Sequence, residues 1–324
     1  MYTLWLVKWN LNKEDNKLQN NNKKIPVIIN CDTGIDDAVA LMIAVKSEKL
    51  DIKLITTDIG NVNTTQSAIN TLNVLELINA PSIPVVVGDG KCYKKERTRV
   101  SVHGSDGLGG YKFKDHSRKI TEGDAVEEIY KTLMASDEKI TILTISPISN
   151  IAKLISRHPE CLDKIEKFVI MVGTIEETPE GEKPYPEFNC SGDPEACEEV
   201  FNSKVPIEIV PMEMGHNAYL TWQEVFKTKN TNFVGEALEF IYRSYRDRHV
   251  KNGIATHDGC TVAYLTNPEL FELKPVCAEV VYYDDIDTGI MTMDFNKSPN
   301  CKTCVDMNIP KFKKLYFKSL KKCK

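Results

Sequence analysis

The stretch VIINCDTGIDDAVALMIAV, residues 27–45, decides the reading of the whole chain. It places three acids, Asp32, Asp36 and Asp37, between two strongly apolar runs. VIIN has the continuous β-branched character of a strand buried on both faces, and AVALMIAV begins a helix. The acids then fall in the strand-to-helix turn, at the carboxyl end of the strand, the edge where open α/β sheets bind ligands. Asp36 and Asp37 fall in the first helical turn, where the helix dipole favours anions. Capping explains one or two acids. Three, with Gly34 for a tight turn, suit a hard cation, because carboxylate oxygen favours Ca²⁺ or Mg²⁺ over zinc.

The same alternation continues outward. Strand-type runs occur at 25–30, 52–58, 83–88, 139–146, 167–173 and 206–212. Between them TTQSAINTLNVLELIN, AVEEIYKTLMA, SNIAKLISRHPE and DPEACEEVFNS carry apolar residues at helical spacing. Apolar strands alternating with helices predict an α/β fold with a mostly parallel central sheet and helices on both faces. With no repeat and no Gly/Ser linker, residues 25–310 read as one domain with a C-terminal cap region. Residues 1–24, rich in Asn and Lys after MYTLWLVKWN, read as a partly disordered extension. The Lys-rich residues 311–324 read as a solvated basic tail.

Bulk composition narrows the function classes. The 324 residues carry formal charge −5, with 42% hydrophobic and 8% aromatic residues, which is globular and argues against nucleic acid as the main partner. No apolar run is long enough to span a bilayer, and the first ten residues lack the basic region and cleavage site of a signal peptide. Most of the ten cysteines lie in apolar runs and read as small buried hydrophobes, which places the chain in the cytoplasm. Cys301 and Cys304 have CxxC spacing without a second pair or a nearby His, and read as a surface loop rather than half a zinc site.

A haloacid-dehalogenase-type phosphatase would also carry acids after its first strand. Its nucleophilic Asp position is here Asn30, an amide that cannot form an aspartyl-phosphate, and no Walker A or GxGxxG pattern follows a strand. Asn30-Cys31-Asp32-Thr33-Gly34-Ile35-Asp36-Asp37 instead resembles DxDxxxDD, the opening signature of the inosine–uridine-preferring nucleoside hydrolases. Further segments resemble that family in order: GNV at 60–62, HGSDGLGG at 103–110, SPISNIA at 146–152, EFNCSGDPEA at 187–196 and THDGCTVAYLTNPELF at 256–271.

The resemblance implies hydrolysis of a ribonucleoside to ribose and free base around one Ca²⁺. Its implied ligands are Asp32, Asp37, Asp258 and the carbonyl of Ile145, with Asp32 also the base acting on the bound water. Asp36, Asn61, Glu187 and Asn189 are implied sugar contacts, His257 the leaving-group acid and His103 a second histidine near the base. It implies a homodimer or homotetramer, and the two histidines suggest uridine, pyrimidine or broad specificity. Three positions depart from the family: Asn30 at the first signature Asp, Glu213 in EMGH where Asp is common, and EETPEGEKPYPE before EFN, with Gly181 near the place of a usual Asn. They motivate an alternative, a nucleoside- or ribose-binding homologue with weakened catalysis. The stripe Phe240, Tyr242 and Tyr245 reads as helix packing, with one tyrosine able to contact the base.

Overall fold

The computed structural model describes residues 23–96, 103–176, 185–246, 253–283 and 286–323. The extension expected over residues 1–24, apart from its last two residues, and Gly181 lie outside the described residues.

Strands β1 (Ile25–Cys31), β2 (Leu50–Thr57), β3 (Val85–Val87), β4 (Ile140–Thr144), β5 (Ile165–Met171) and β6 (Ile207–Val210) form where the apolar runs predict them. Two short strands, β7 (Leu220–Thr221) and β8 (Gly253–Ile254), pair separately. β9 (Phe271–Tyr283), β10 (Ile286–Asp294) and β11 (Cys301–Met307) complete a nine-stranded sheet in the order β10-β9-β11-β6-β5-β4-β1-β2-β3. From β11 to β3 every pairing is parallel, whereas β9 and β10 add antiparallel to the far edge.

The chain leaves β1 toward β2 and β3 on one side and returns to β4, β5 and β6 on the other. The switch point is therefore the carboxyl end of β1, between β2 and β4, where a doubly wound sheet opens a crevice. Alternate residues of β1 feed different cores. Val27, Ile29 and Cys31 join the helix Ile35–Lys46, while Ile28 joins the helices Ala125–Met134 and Ser149–Arg157 on the opposite face.

Two sequence expectations are corrected. Cys301 and Cys304 do not lie in a surface loop: both are buried in β11. The basic tail is not a solvated segment either. Ile309–Lys321 is a helix started by Pro310 and capped by the Asn308 side chain on the Lys311 N–H. Its Phe312, Tyr316 and Leu320 recur at i, i+4, i+8 and are buried, with the lysines left on the outer face. The buried hydroxyls of Tyr316 and Tyr242 bond each other at 2.6 Å, so neither is stranded in the core. Phe312→Ala is expected to cost ~3–5 kcal/mol in denaturant unfolding. Exposed Lys314→Ala is expected to stay within ~0.5 kcal/mol. A solvated tail would give equal, negligible effects for both.

Candidate active site

The turn that follows β1 is built by its own acids. The helix Ile35–Lys46 begins with N–H groups that have no intrahelical acceptor. Asp37 turns back to accept from the Asp32 N–H (3.2 Å) and the Gly34 N–H (3.0 Å), and Asn61 Nδ2 donates to it at 3.1 Å. The Ile35 N–H is met by His103 Nδ1 at 2.8 Å. A backbone N–H can only donate, so Nδ1 carries no proton in this bond and the neutral ring holds its proton on Nε2. That Nε2 lies 4.0 Å from Asp36 Oδ1.

Asp32 hangs from the switch point. Its Oδ2 accepts the Asn61 N–H at 2.6 Å, from the loop after β2, whereas its Oδ1 is buried with no hydrogen-bond partner among the described residues. The loop gets this close only because residue 60 is glycine: a Cβ there would stand 1.9 Å from Asp32 Oδ2. Across the turn, the helix His257–Thr266 brings Asp258 to Asp36 and Asp37, with one oxygen of each within 4.8 Å of the others.

These carboxylates are costly as they stand. Burial, and then the neighbouring Asp37, push Asp32 well above the usual carboxylate range. Burial and then Asp36 push Asp37 up to about 7. Burial raises Asp258 as well, followed by Asp36, Asp37 and Asp32. Among the described residues lining the cavity there is no Lys or Arg to offset them. An acid cluster, an orphaned Asp32 Oδ1 and an all-oxygen donor set fit a hard cation.

The acids sit in a cavity of about 310 Å³ lined by Asp32, Asp36, Asn61, His103, Ile145, Glu187, Asn189, His257 and Asp258 among others. Nine of the ten residues singled out from the sequence thus share one cavity, and Asp37 braces the turn beside them. Asp36, read from the sequence as a sugar contact, also belongs to the acid cluster. Glu187 caps the helix Phe188–Gly192: Oε1 accepts the Asn189 N–H at 2.8 Å, and Oε2 accepts the Cys190 and Gly173 N–H groups, each at 3.0 Å. The Asn189 amide donates to the Met171 carbonyl at 3.0 Å. Glu213 takes the Thr174 hydroxyl and the Ile175 and Glu176 N–H groups on Oε1, which fixes the backbone that follows Gly173.

His257 Nδ1 meets the Met212 carbonyl at 3.1 Å, which requires the proton on Nδ1 and turns Nε2 elsewhere. Burial lowers its pKa to about 4 against the opposing pull of Asp36. The His216 ring stands edge-on to it, with centroids 4.9 Å apart. The aromatic stripe divides. Tyr242 packs in the core, Phe240 is exposed, and Tyr245 lines the cavity, 5.8 Å from the His103 ring. Sequence reasoning missed Tyr185, Phe188, Met212 and His216, which also line it. The one available signal was that Phe188 and His216 lie within EFN and EMGH, with Tyr185 and Met212 just before them.

The inosine-uridine preferring nucleoside hydrolase family model matches residues 27–314. The non-specific ribonucleoside hydrolase RihC of Escherichia coli O139:H28 is 34% identical over 294 residues, covering 89% of this chain and 96% of that protein. RihC of Shigella dysenteriae serotype 1 gives the same identity and coverage. Among solved structures, the plant nucleoside hydrolase PpNRh1 aligns with a TM-score of 0.81 at 27% identity, over 91% of this chain and 98% of its own. The purine-preferring ribonucleoside hydrolase of Gardnerella vaginalis shares the fold with a TM-score of 0.81 at 24% identity, over the same shares of each chain.

Gly60→Ala is expected to leave a folded protein, by circular dichroism, whose nucleoside turnover falls at least about 100-fold, the scale on which small displacements of a reacting group act. Near wild-type turnover would show that the Asp32–Asn61 contact is not needed.

The match over most of the chain, the relatives and the shared fold together mean that this chain belongs to the inosine–uridine preferring nucleoside hydrolases, enzymes that cleave the N-glycosidic bond of ribonucleosides.

Proposed function

We propose that this enzyme is a Ca²⁺-dependent ribonucleoside hydrolase of broad base range that includes uridine, releasing ribose and free base. The observation that carries the Ca²⁺ reading is the buried Asp32 Oδ1, without a hydrogen-bond partner among the described residues, beside the Asp36, Asp37 and Asp258 cluster. Asp32, Asp37, Asp258 and the Ile145 carbonyl would hold the ion. Bound there, Ca²⁺ supplies a water of lowered pKa and an anchor for the ribose diol.

The chain's own residues do the rest. Asp32, fixed by the Asn61 N–H, takes the proton of the attacking water. Asp36, Asn61, Glu187 and Asn189 bind the sugar hydroxyls. Glu187 keeps this capacity while capping a helix, since a carboxylate offers about four lone-pair sites and three are used. As the glycosidic bond breaks, the anomeric carbon gains oxocarbenium character, which the surrounding carboxylates favour.

His257 delivers the proton to the departing base from Nε2, because Nδ1 is committed to Met212. Burial keeps this ring neutral at rest with its one proton on Nδ1, so Nε2 takes up a proton from solvent as negative charge develops on the base and passes it on, while Asp32 returns the proton of the attacking water to solvent. His103 orients Asp36 and borders the base. Tyr185, Tyr245 and Phe188 offer ring faces on which any base can stack, in keeping with relatives named non-specific. A cytoplasmic location suits ten free thiols, and a homodimer or homotetramer is the assembly proposed from the family resemblance.

Reducing-sugar release from uridine, inosine and adenosine, with and without a Ca²⁺ chelator, tests this reading. The expected result is release from all three that the chelator stops, and a loss of at least about 100-fold in Asp32→Asn. Ca²⁺ binding without any sugar release would favour the binding homologue instead. His257→Ala is expected to slow nucleosides with poor leaving groups most. Equal losses across a leaving-group series would rule out a general acid.

A further inference from the structure

Asp58 is a buried carboxylate that the reaction described above does not use, and it lies at 2% exposure directly behind the catalytic turn. It follows β2, and its own N–H donates to the Cys31 carbonyl at 2.8 Å. Its Oδ2 accepts from Asn30 Nδ2 at 3.3 Å and from the Asn150 N–H, in the first turn of the helix Ser149–Arg157, at 2.9 Å. Its Oδ1 accepts the Ile59 N–H at 2.9 Å. All of these side-chain bonds are accepted by the carboxylate, a set an acceptor-only group satisfies and an amide does not.

Asn30 is equally committed. Its Oδ1 accepts from the Thr56 hydroxyl (2.9 Å) and Asn150 Nδ2 (3.0 Å). Its Nδ2 donates to Ser146 Oγ at 2.9 Å as well as to Asp58, and its carbonyl accepts the Ile145 N–H at 3.0 Å. The pair therefore ties together the three pieces of backbone that present the proposed ion site. These are the end of β1 leading to Asp32, the loop 59–61 that holds Asp32 through Asn61, and the peptide of Ile145.

We propose that Asp58 is a positioning residue for the cation site, and that the Asn30–Asp58 pair carries at position 58 the buried negative charge that DxDxxxDD places at position 30. This rests on the Ca²⁺ reading above. Its physical content is orientation: outer-sphere hydrogen bonds that fix ligands are commonly worth ~10–100-fold in metal affinity. A carboxylate at both positions would set two like charges about 3.3 Å apart, whereas exchanging them would restore a donor facing an acceptor between positions 30 and 58 and leave one of the two backbone N–H groups at position 58 without its acceptor.

The test is calorimetric Ca²⁺ titration of the metal-free full-length chain as wild type, D58N, N30D and N30D/D58N, with melting temperatures recorded in chelator. The expected result is a dissociation constant raised about tenfold or more in each single variant. The double variant should bind more tightly than the two single losses combined predict, without reaching wild type, because an amide at position 58 has one oxygen for the Ile59 and Asn150 N–H groups. The partly restored double variant keeps the test decisive if D58N alone fails to fold. D58N binding Ca²⁺ as tightly as wild type would overturn the assignment, as would a double variant no better than the sum of the singles. Wild type giving no heat with Ca²⁺ would instead overturn the cation reading itself, whatever Asp58 does.

Discussion

The acid end of this site is organised by the repulsion among carboxylates brought together at the turn after β1 and the facing start of the helix His257–Thr266. Asp32, Asp37 and Asp258 are buried, and Asp36 stands among them. Two like charges 4 Å apart cost ~4 kcal/mol at an effective dielectric of 20. The fold answers in part: the helix N-terminus, the Gly34 and Asp32 amides and Asn61 are all directed at Asp37. These donors do not reach Asp32 Oδ1, and none of the described cavity-lining residues is a Lys or Arg. A divalent cation would resolve the imbalance with the ligand chemistry already present.

The switch point explains why this turn became the site. Residues from the ends of β1, β2 and β4 converge there, so Asp32, Asn61 and Ile145 arrive on backbone held by a parallel sheet. Sites on such rigid elements keep side chains within the narrow tolerance that catalysis needs. The outer wall, with Tyr185, Tyr245, Phe188 and Met212, comes from loops and helix ends, where base preference can vary without disturbing the chemistry below.

Much of this was legible in the chain. The central strands announce themselves because burial on both faces demands unbroken apolar runs, and the acids of 32–37 stand out against that background. β9 to β11 were harder: they join through antiparallel pairings toward one edge of the sheet, and β9, with polar residues such as Glu272, Lys274 and Glu279, lacks the continuous signal. The helix Ile309–Lys321 was hidden by its lysines, although the spacing of Phe312, Tyr316 and Leu320 encodes its buried stripe. The Asn30–Asp58 contact joins residues 28 apart and is set by how β1 and β2 register, which no local pattern contains. Tyr185 and His216 reach the cavity for the same tertiary reason.

The central claim is that the acid turn is completed by Ca²⁺, and the melting temperature of the metal-free chain as a function of free Ca²⁺ tests it most directly. An ion that binds only the folded state stabilises it by about 2.7 kcal/mol at one hundred times its dissociation constant. The account predicts a melting temperature that climbs steadily with the logarithm of Ca²⁺ concentration, and a much smaller slope in Asp258→Asn. A melting temperature indifferent to Ca²⁺ into the millimolar range would contradict it.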